Sequence, residues 1–260
     1  MIKPRRWCAI SHFILVIFTT SLLGISHLQS SCKTKSVQPK VRSLPPVQTT
    51  TTTPAVPPEV AKIETPPVEQ GSFHQPDLVE LIKFDPTLKL DIRYATANNF
   101  VGRPLYSEAR AFLQKPAAEA LRRVSQKLQQ QGYGLLIFDG YRPWAITKLF
   151  WDATPATLHN FVANPQKGSK HNRGCAIDLS LYDLQSGQEI AMPGAYDEMT
   201  ERSYPTYKGG TPAQRKTRDL LRAAMEAQGF SANDFEWWHF DYKDWKQYPI
   251  LNLSFAELGK

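Results

Sequence analysis

Alternation of apolar and polar residues begins near residue 78 and returns at several places downstream. Such alternation is typical of a strand with one buried face, because successive side chains point to opposite faces. In the segment 175–183, for example, Ile177 and Leu179 share one face while Asp178 and Ser180 share the other. The pattern predicts strands over 78–84, 89–95, 133–141, 175–183 and 235–242.

Helical spacing separates these strands in three places, over 116–132, 143–153 and 211–229. In the first helix Leu121, Val124 and Leu128 recur on one face. Pro116 stands in its first turn and Gly132 is the expected C-cap. The third helix has the corresponding signals, with Thr211 as N-cap, Pro212 in the first turn and Gly229 as C-cap.

Strands and helices are mixed without a regular β-α-β alternation, and no internal repeat is visible. This order predicts an α+β fold. We expect a single domain over residues 76–260 with a mainly antiparallel central sheet flanked by helices, preceded by a signal and a disordered tether. A segment of this length can bury a hydrophobic core.

Residues 1–32 have the order of a secretory signal, a basic start followed by an apolar run from Cys8 to Ile25. The apolar run is also compatible with an uncleaved membrane anchor. Cys32 resembles the lipidated cysteine of bacterial lipoproteins, although Gln29 stands where such signals usually carry leucine. We expect an exported protein, periplasmic or at the cell surface, with Cys32 or the apolar segment as the candidate membrane anchor.

Residues 33–75 are rich in proline, threonine and valine. Proline removes backbone donors and restricts φ, so this stretch is expected to be a disordered, semi-rigid linker. It fits a tether that holds a domain away from a surface, and equally a dispensable leader.

Charge and cysteine content exclude two classes of protein. The net charge is +7, and residues 1–75 hold eight lysines and arginines against three acids. Most of the excess therefore lies in the signal and linker, and no basic stripe follows, so we expect no nucleic-acid binding. With three cysteines, one of them in the signal, there is no disulfide framework, and Cys175 is expected to be a small buried residue.

The candidate chemistry begins at Asp178, which lies in an apolar strand and needs a cation there. His171 lies in the loop before that strand, and His239 lies in the aromatic segment 235–242. Two histidines and one aspartate with an open position are the ligands expected of catalytic zinc. Glu236 could act as the general base, but it converges with His239 only if a turn or bulge separates them.

Each of these residues also has an ordinary structural explanation. His239 could be a hydrogen-bonded core histidine, Asp178 could pair with Arg173 or a lysine of the tail, and Glu236 could be an exposed acid in a turn. The helical zinc motif His-Glu-x-x-His is absent. From the residues alone, both explanations stay open.

Two motifs together resemble the VanX-type D-alanyl-D-alanine dipeptidases. Residues 169–178 fit the pattern Ser-x-His-x-x-Gly-x-Ala-x-Asp, and residues 236–239 fit Glu-x-x-His. Four further blocks stand in the family's order, so that the resemblance covers about residues 78–250; the blocks are 91–106, 132–143, 195–203 and 218–230. Jointly these motifs are specific, although each one alone is weak.

The resemblance implies one zinc ion per chain, bound by His171, Asp178 and His239, with Glu236 as the catalytic base. It assigns Arg142 to the oxyanion of the tetrahedral intermediate, a role suited to a fixed guanidinium. A salt bridge from Arg142 to Asp139 is the alternative.

The same resemblance assigns substrate contacts to three residues. Asp197 would hold the free ammonium of a small dipeptide, Tyr94 would lie near the same end, and Ser169 would lie near the carboxylate. A loop acid, a core aromatic and a loop hydrogen-bonding residue are the respective alternatives.

The implied activity is zinc-dependent hydrolysis of D-alanyl-D-alanine to two D-alanines, in cell-wall peptide turnover or glycopeptide resistance. One alternative is a D,D-carboxypeptidase that trims peptidoglycan stem peptides; related enzymes of that kind typically end in His-x-His, whereas Phe240 and Asp241 follow His239 here. The other is a non-catalytic wall-binding module, which would need neither Glu236 nor Arg142.

Overall fold

The structure, a computed structural model, describes residues 65–258. The predicted signal and the linker up to residue 64 lie outside the described residues. Seven strands and four α-helices are formed within 65–258: β1 (Leu78–Glu80), α1 (Leu81–Phe84), β2 (Lys89–Leu90), β3 (Phe112–Gln114), α2 (Lys115–Gln129), β4 (Tyr133–Asp139), α3 (Trp144–Ala153), β5 (Ala176–Asp183), α4 (Pro212–Glu226), β6 (Phe230–Ala232) and β7 (His239–Tyr242). In this part of the chain, no helix is long and apolar enough to cross a bilayer.

The central sheet has five strands in the order β2-β4-β5-β7-β6. Only β2 and β4 are parallel, and the three other pairs are antiparallel. β1 and β3 form a separate two-stranded antiparallel sheet. The predicted α+β class with a mainly antiparallel sheet is confirmed.

The core lies between the central sheet and two amphipathic helices. α2 packs on β4 and α4, and α4 packs on β6. Leu121, Val124 and Leu128 are fully buried, as their spacing predicts. Cys175 is a buried free thiol among the same core residues. β4 and β5, whose residues are almost all buried, lie at the centre of this packing.

Several predicted strands were too long. The segment 78–84 is a strand only to Glu80 and then turns into α1, and 89–95 is a strand only over Lys89–Leu90 before a 3-10 turn, Arg93–Ala95. The segment 235–242 becomes a strand only at His239. The short strands β3 and β6 were not predicted, because three residues are too few to show a periodicity.

The helix ends match their predicted signals more closely than the strands match their predicted lengths. Thr211 forms a full capping box, since its Oγ1 accepts from the backbone of Gln214 at 3.2 Å and its own N–H donates to Gln214 Oε1 at 2.8 Å. The C-caps of α2 and α4 are Gln130 and Ala227 rather than the two predicted glycines. Gly132 and Gly229 follow two residues later with φ of +86° and +87°, which glycine adopts at low cost.

The last described residues of the predicted linker contact the domain. The Glu69 carboxylate lies 2.5 Å from Arg173 Nη2 and accepts from the backbone N–H of Ile250 at 2.6 Å. The N–H of His74 donates to Gln247 O at 2.7 Å, and its ring packs edge-on against Tyr248. Residues 69–74 thus bind to the domain through Arg173 and the segment 247–250.

Candidate metal centre and active site

Strand pairing brings together the residues expected to bind metal. β5 and β7 are antiparallel neighbours, and their register places Asp178 directly opposite His239. His171 begins a 3-10 turn, His171–Arg173, that leads into β5. Gly174 ends this turn with φ of +65°, and a Cβ there would lie 2.3 Å from Leu78, so the turn requires glycine.

One atom of each residue faces a common point. Asp178 Oδ1 lies 3.0 Å from His239 Nδ1 and 3.4 Å from His171 Nε2, and the two nitrogens lie 3.1 Å apart. Ligands about 2.0–2.1 Å from a tetrahedral zinc ion lie about 3.3 Å from one another. The three side chains are buried, and Asp178 Oδ1 has no hydrogen-bond partner among the described residues. A buried carboxylate oxygen between two imidazole nitrogens fits a divalent cation.

The opposite atom of each candidate ligand is held by the protein. His171 Nδ1 lies 2.7 Å from Gly140 O, and Asp178 Oδ2 accepts from the hydroxyl of Tyr196 at 3.2 Å. His239 Nε2 lies 2.9 Å from Asp241 Oδ1. These outer contacts orient each ligand, so that the remaining atoms converge.

Charges of opposite sign lie close together among the candidate ligands and shift their pKa values. Burial opposes ionisation of Asp178, but His171 and His239 outweigh it and hold the pKa of the carboxyl well below its usual range. Burial also lowers the pKa of His239, but Asp241 and Asp178 outweigh it and raise this pKa to about 10. The two carboxylates around His239 therefore favour a positive charge at this point.

Glu236 reaches the same point from the turn before β7. The N–H of His239 donates to Glu236 O at 3.3 Å, and this turn brings Glu236 Oε2 to 3.7 Å from His239 Nδ1. The sequence analysis predicted that Glu236 and His239 could converge only through a turn or bulge, and this turn meets that condition. Burial, reinforced by Asp178 and opposed by His239, raises the pKa of Glu236 to about 7. A carboxylate of that pKa is suited to exchanging protons at neutral pH.

Arg142 is both salt-bridged and part of the site. Its Nη2 lies 2.8 Å from Asp139 Oδ2 and its Nε donates to the same oxygen at 2.9 Å. The other Asp139 oxygen accepts from Tyr106 at 2.9 Å. The guanidinium also lies 3.6 Å from Asp178 Oδ2 and packs over the ring of Phe150. The predicted alternative, a salt bridge to Asp139, therefore holds the arginine beside the candidate metal centre.

Asp197 and Tyr94 form a second polar group in the site. The Tyr94 hydroxyl donates to Asp197 Oδ1 at 3.0 Å, while Asp197 Oδ2 is buried with no partner among the described residues. Asp197 has φ of +59°, the only positive φ of a non-glycine residue within 65–258. Burial, together with Asp178, raises the pKa of Asp197 well above its usual range. A cationic group placed there would restore the ionised carboxylate.

Ser169 lies at the start of the loop that carries His171. Its Oγ accepts from the backbone N–H of His171 at 3.2 Å, and its own N–H donates to Asn172 Oδ1 at 2.8 Å. The serine is almost fully buried and faces the cleft. Its hydroxyl proton remains free to donate to a bound group.

All eight residues singled out from the sequence line one cleft of about 540 Å³. Asn160 and Phe161 also line it, from a segment where no site residue was predicted, and so does Phe235, which directly precedes Glu236. Sequence reasoning missed Tyr196 and Asp241 as partners of the candidate ligands. Asp241 could have been found, because residues two apart on a strand share a face and it follows His239 by two. Tyr196 gave no such signal, since it lies in an irregular loop.

Comparison with known proteins agrees with the geometry. Residues 74–257 match the peptidase M15 family, described as D-Ala-D-Ala dipeptidase. A D-alanyl-D-alanine dipeptidase of Escherichia coli is 37% identical over 180 residues, which cover 69% of this chain and 92% of that protein. One from Enterococcus faecalis is 37% identical over 187 residues, covering 65% and 92%. The solved structure of the vancomycin-resistance D,D-dipeptidase VanXYg is similar at 21% identity and a TM-score of 0.33, over 54% of this chain and 52% of that one. The chain belongs to the peptidase M15 family of D-Ala-D-Ala dipeptidases.

Proposed function

We propose that the chain is a zinc-dependent dipeptidase that hydrolyses D-alanyl-D-alanine to two D-alanines. The observation that carries this proposal is the buried convergence of His171, Asp178 and His239 in a cleft that also contains Glu236 and Arg142. These three ligands leave one position open, as catalytic zinc sites do. His171, Asp178 and His239 would hold a zinc ion that would supply Lewis-acid chemistry for the peptide carbonyl and the attacking water.

The protein's own groups supply the proton transfers and the stabilisation of charge. Glu236 takes a proton from the attacking water and passes it to the leaving amine, which its raised pKa favours. Arg142 donates to the oxyanion that develops on the former carbonyl oxygen. Asp139 and the ring of Phe150 hold the guanidinium in place before the reaction begins, so little reorganisation is needed.

Recognition of the free amine separates a dipeptidase from a carboxypeptidase. Two observations support a role for Asp197 in this recognition: its Oδ2 has no partner among the described residues, and Tyr94 donates to its other oxygen. In the proposal, Oδ2 accepts from the substrate ammonium. An acylated amine offers no such cation and would leave the Asp197 carboxyl buried without a partner, which costs binding energy. Ser169 is available for the substrate carboxylate at the other end.

The test compares D-alanine release from D-alanyl-D-alanine with release from an N-acetylated tripeptide that ends in D-Ala-D-Ala. We expect the wild-type chain to act on the free dipeptide alone, and Asp197→Asn to raise KM more than it lowers kcat. Release mainly from the blocked tripeptide would identify a D,D-carboxypeptidase. No release from either substrate would favour the wall-binding module.

The proposed location is outside the cytoplasm. The basic start and the apolar run of residues 1–32 support export, and Cys32 is the candidate for lipidation. An exported enzyme would meet D-alanyl-D-alanine released from the cell wall. Cell fractionation of the wild type and of Cys32→Ala, with incorporation of labelled fatty acid, distinguishes a lipid anchor from an uncleaved helix and from a soluble exported form.

A further inference from the structure

The two ring nitrogens of His239 have different surroundings. Nδ1 faces the candidate metal position, 3.0 Å from Asp178 Oδ1 and 3.1 Å from His171 Nε2. Nε2 points the opposite way and lies 2.9 Å from Asp241 Oδ1. The ring is therefore contacted by a carboxylate at each end.

Asp241 is held in this position by a second contact. Its Oδ2 lies 3.2 Å from Lys170 Nζ, and its side chain is only 17% exposed. The lysine in turn packs over the ring of Trp245. Since Lys170 directly precedes His171, the contact links the loop that carries one ligand to the strand that carries another.

We propose that Asp241 is a positioning residue for the metal centre, which acts by holding His239 with its proton on Nε2 and its lone pair on Nδ1. An ionised carboxylate can only accept, so the Asp241 contact at 2.9 Å requires a proton on Nε2. Nδ1 faces Asp178 Oδ1 at 3.0 Å, and a proton on that nitrogen is the one that a bound metal would replace. The Asp241 contact also makes the imidazole a stronger ligand and sets the plane of the ring. This inference rests on the proposed function, because it concerns the metal centre of that reaction.

The other two ligands are oriented by groups of a different kind. His171 is held by a backbone carbonyl, that of Gly140, and Asp178 by the neutral hydroxyl of Tyr196. Arg142 Nη2 is a further charged neighbour of Asp178, at 3.6 Å. Asp241 differs from these groups because it is a carboxylate at hydrogen-bond distance from the outer nitrogen of a candidate ligand, and substitution removes it without changing the backbone.

Asp241 is not itself placed as a ligand. Its Oδ1 contacts the nitrogen of His239 that points away from the centre, and the group of side chains that could hold a metal contains only His171, Asp178 and His239 among residues 65–258. Nor is it an ordinary surface partner of Lys170, because its two oxygens are divided between the lysine and the histidine.

The experiment uses the full chain with Asp241→Ala, Asp241→Asn and Lys170→Gln. Asp152→Ala is the matched control, since it removes an aspartate from another lysine pair, Lys148–Asp152, and neither of these residues lines the cleft. Zinc affinity is measured by competition with a chromogenic chelator at about pH 7.5 and about pH 9, so that competition by protons is separated from ligand geometry. The visible absorption spectrum of the cobalt-substituted protein reports the geometry directly.

We expect Asp241→Ala to weaken zinc binding about 10- to 100-fold and to shift the cobalt bands. Asp241→Asn keeps an oxygen acceptor for Nε2 but removes the charge, so we expect a smaller decrease in zinc affinity. For Lys170→Gln we expect a decrease that is smaller still. Asp152→Ala is expected to match the wild type. If Asp241→Ala does not fold, as judged by circular dichroism, the isosteric Asp241→Asn decides.

Two kinds of failure are distinguishable. If the wild type binds zinc and releases D-alanine, while Asp241→Ala and Asp241→Asn bind zinc as tightly as the wild type with unchanged cobalt spectra, this inference is wrong and the proposed function stands. If the wild type neither binds zinc nor hydrolyses the dipeptide, both are wrong.

Discussion

At the scale of single residues, the proposed role of Glu236 as the base can be tested separately from metal binding. It lies 3.7 Å from His239 Nδ1 but is not among the three converging ligands. We therefore expect Glu236→Gln to retain zinc and to lower kcat by about 10²- to 10⁴-fold, the usual contribution of a general base. Metal content and kcat measured on the same preparation check this.

His239→Ala is the matching comparison, because it removes a ligand and should lose both zinc and turnover. A Glu236→Gln protein with wild-type kcat would eliminate Glu236 as the base.

Much of this site was predictable from the sequence, because a charge in a buried strand demands a partner. Asp178 gave that signal, and the motifs around His171 and His239 supplied the partners. The double contact of Arg142 was not predictable, because a salt bridge to Asp139 and a place in the cleft looked like alternatives. Only the three-dimensional arrangement shows that the salt bridge to Asp139 holds Arg142 in the cleft.

At the scale of elements, long periodic segments were predicted well and short ones poorly. α2 and β5 show several repeats of their period, whereas β3 and β6 have three residues each. In 235–238 the aromatic residues suggested a strand, but a turn forms there and brings Glu236 to the site. A local pattern could not reveal that turn, since tertiary contacts overrode strand propensity.

The capping box of α4 is expected to contribute measurably to stability. Thr211→Ala removes the acceptor for the N–H of Gln214 and should lower the free energy of unfolding by about 1 kcal/mol. Thr217→Ala in the same helix is the control, because its exposed hydroxyl only contacts Ala213 O, and alanine is the better helix former. Urea denaturation of both variants checks the difference; equal stabilities would contradict the role of the cap.

Glu80 in β1 should make stability depend on pH. Arg110 donates to both of its oxygens at 2.9 Å, and these bonds, opposed by burial, lower the pKa of Glu80 from 4.5 to about 2. Because the folded-state pKa is depressed, the stabilisation is fully present above pH 4.5 and is lost as pH falls toward 2. We expect Glu80→Gln to cost about 2 kcal/mol at neutral pH and less than half of that near pH 3.

Denaturation curves at both pH values measure this difference. Glu108→Gln is the control, because it contacts the same arginine from a more exposed position at 3.3 Å. A cost for Glu80→Gln that does not change with pH would contradict the assignment.

At the scale of the whole molecule, the folded unit includes contacts from residues preceding Pro76. Glu69 forms an ion pair with the nearly buried Arg173, two residues after a candidate metal ligand. Composition could not reveal this contact, because the segment is rich in proline and a single glutamate carries no periodicity. We expect Glu69→Gln to lower the free energy of unfolding by about 2 kcal/mol, since a guanidinium loses its carboxylate partner.

The neighbouring Gln70 is exposed, so Gln70→Ala should leave stability unchanged. Comparison of the melting temperatures of the two variants provides the test. If Glu69→Gln melts with the wild type, the contact does not contribute to the fold.

The most direct test of the central claim is D-alanine release from D-alanyl-D-alanine by the full chain before chelation, after removal of metal, and after zinc is restored. We expect activity that is lost with the metal and returns with about one zinc ion per chain, bound through His171, Asp178 and His239. Hydrolysis that continues unchanged in the metal-free protein would contradict it.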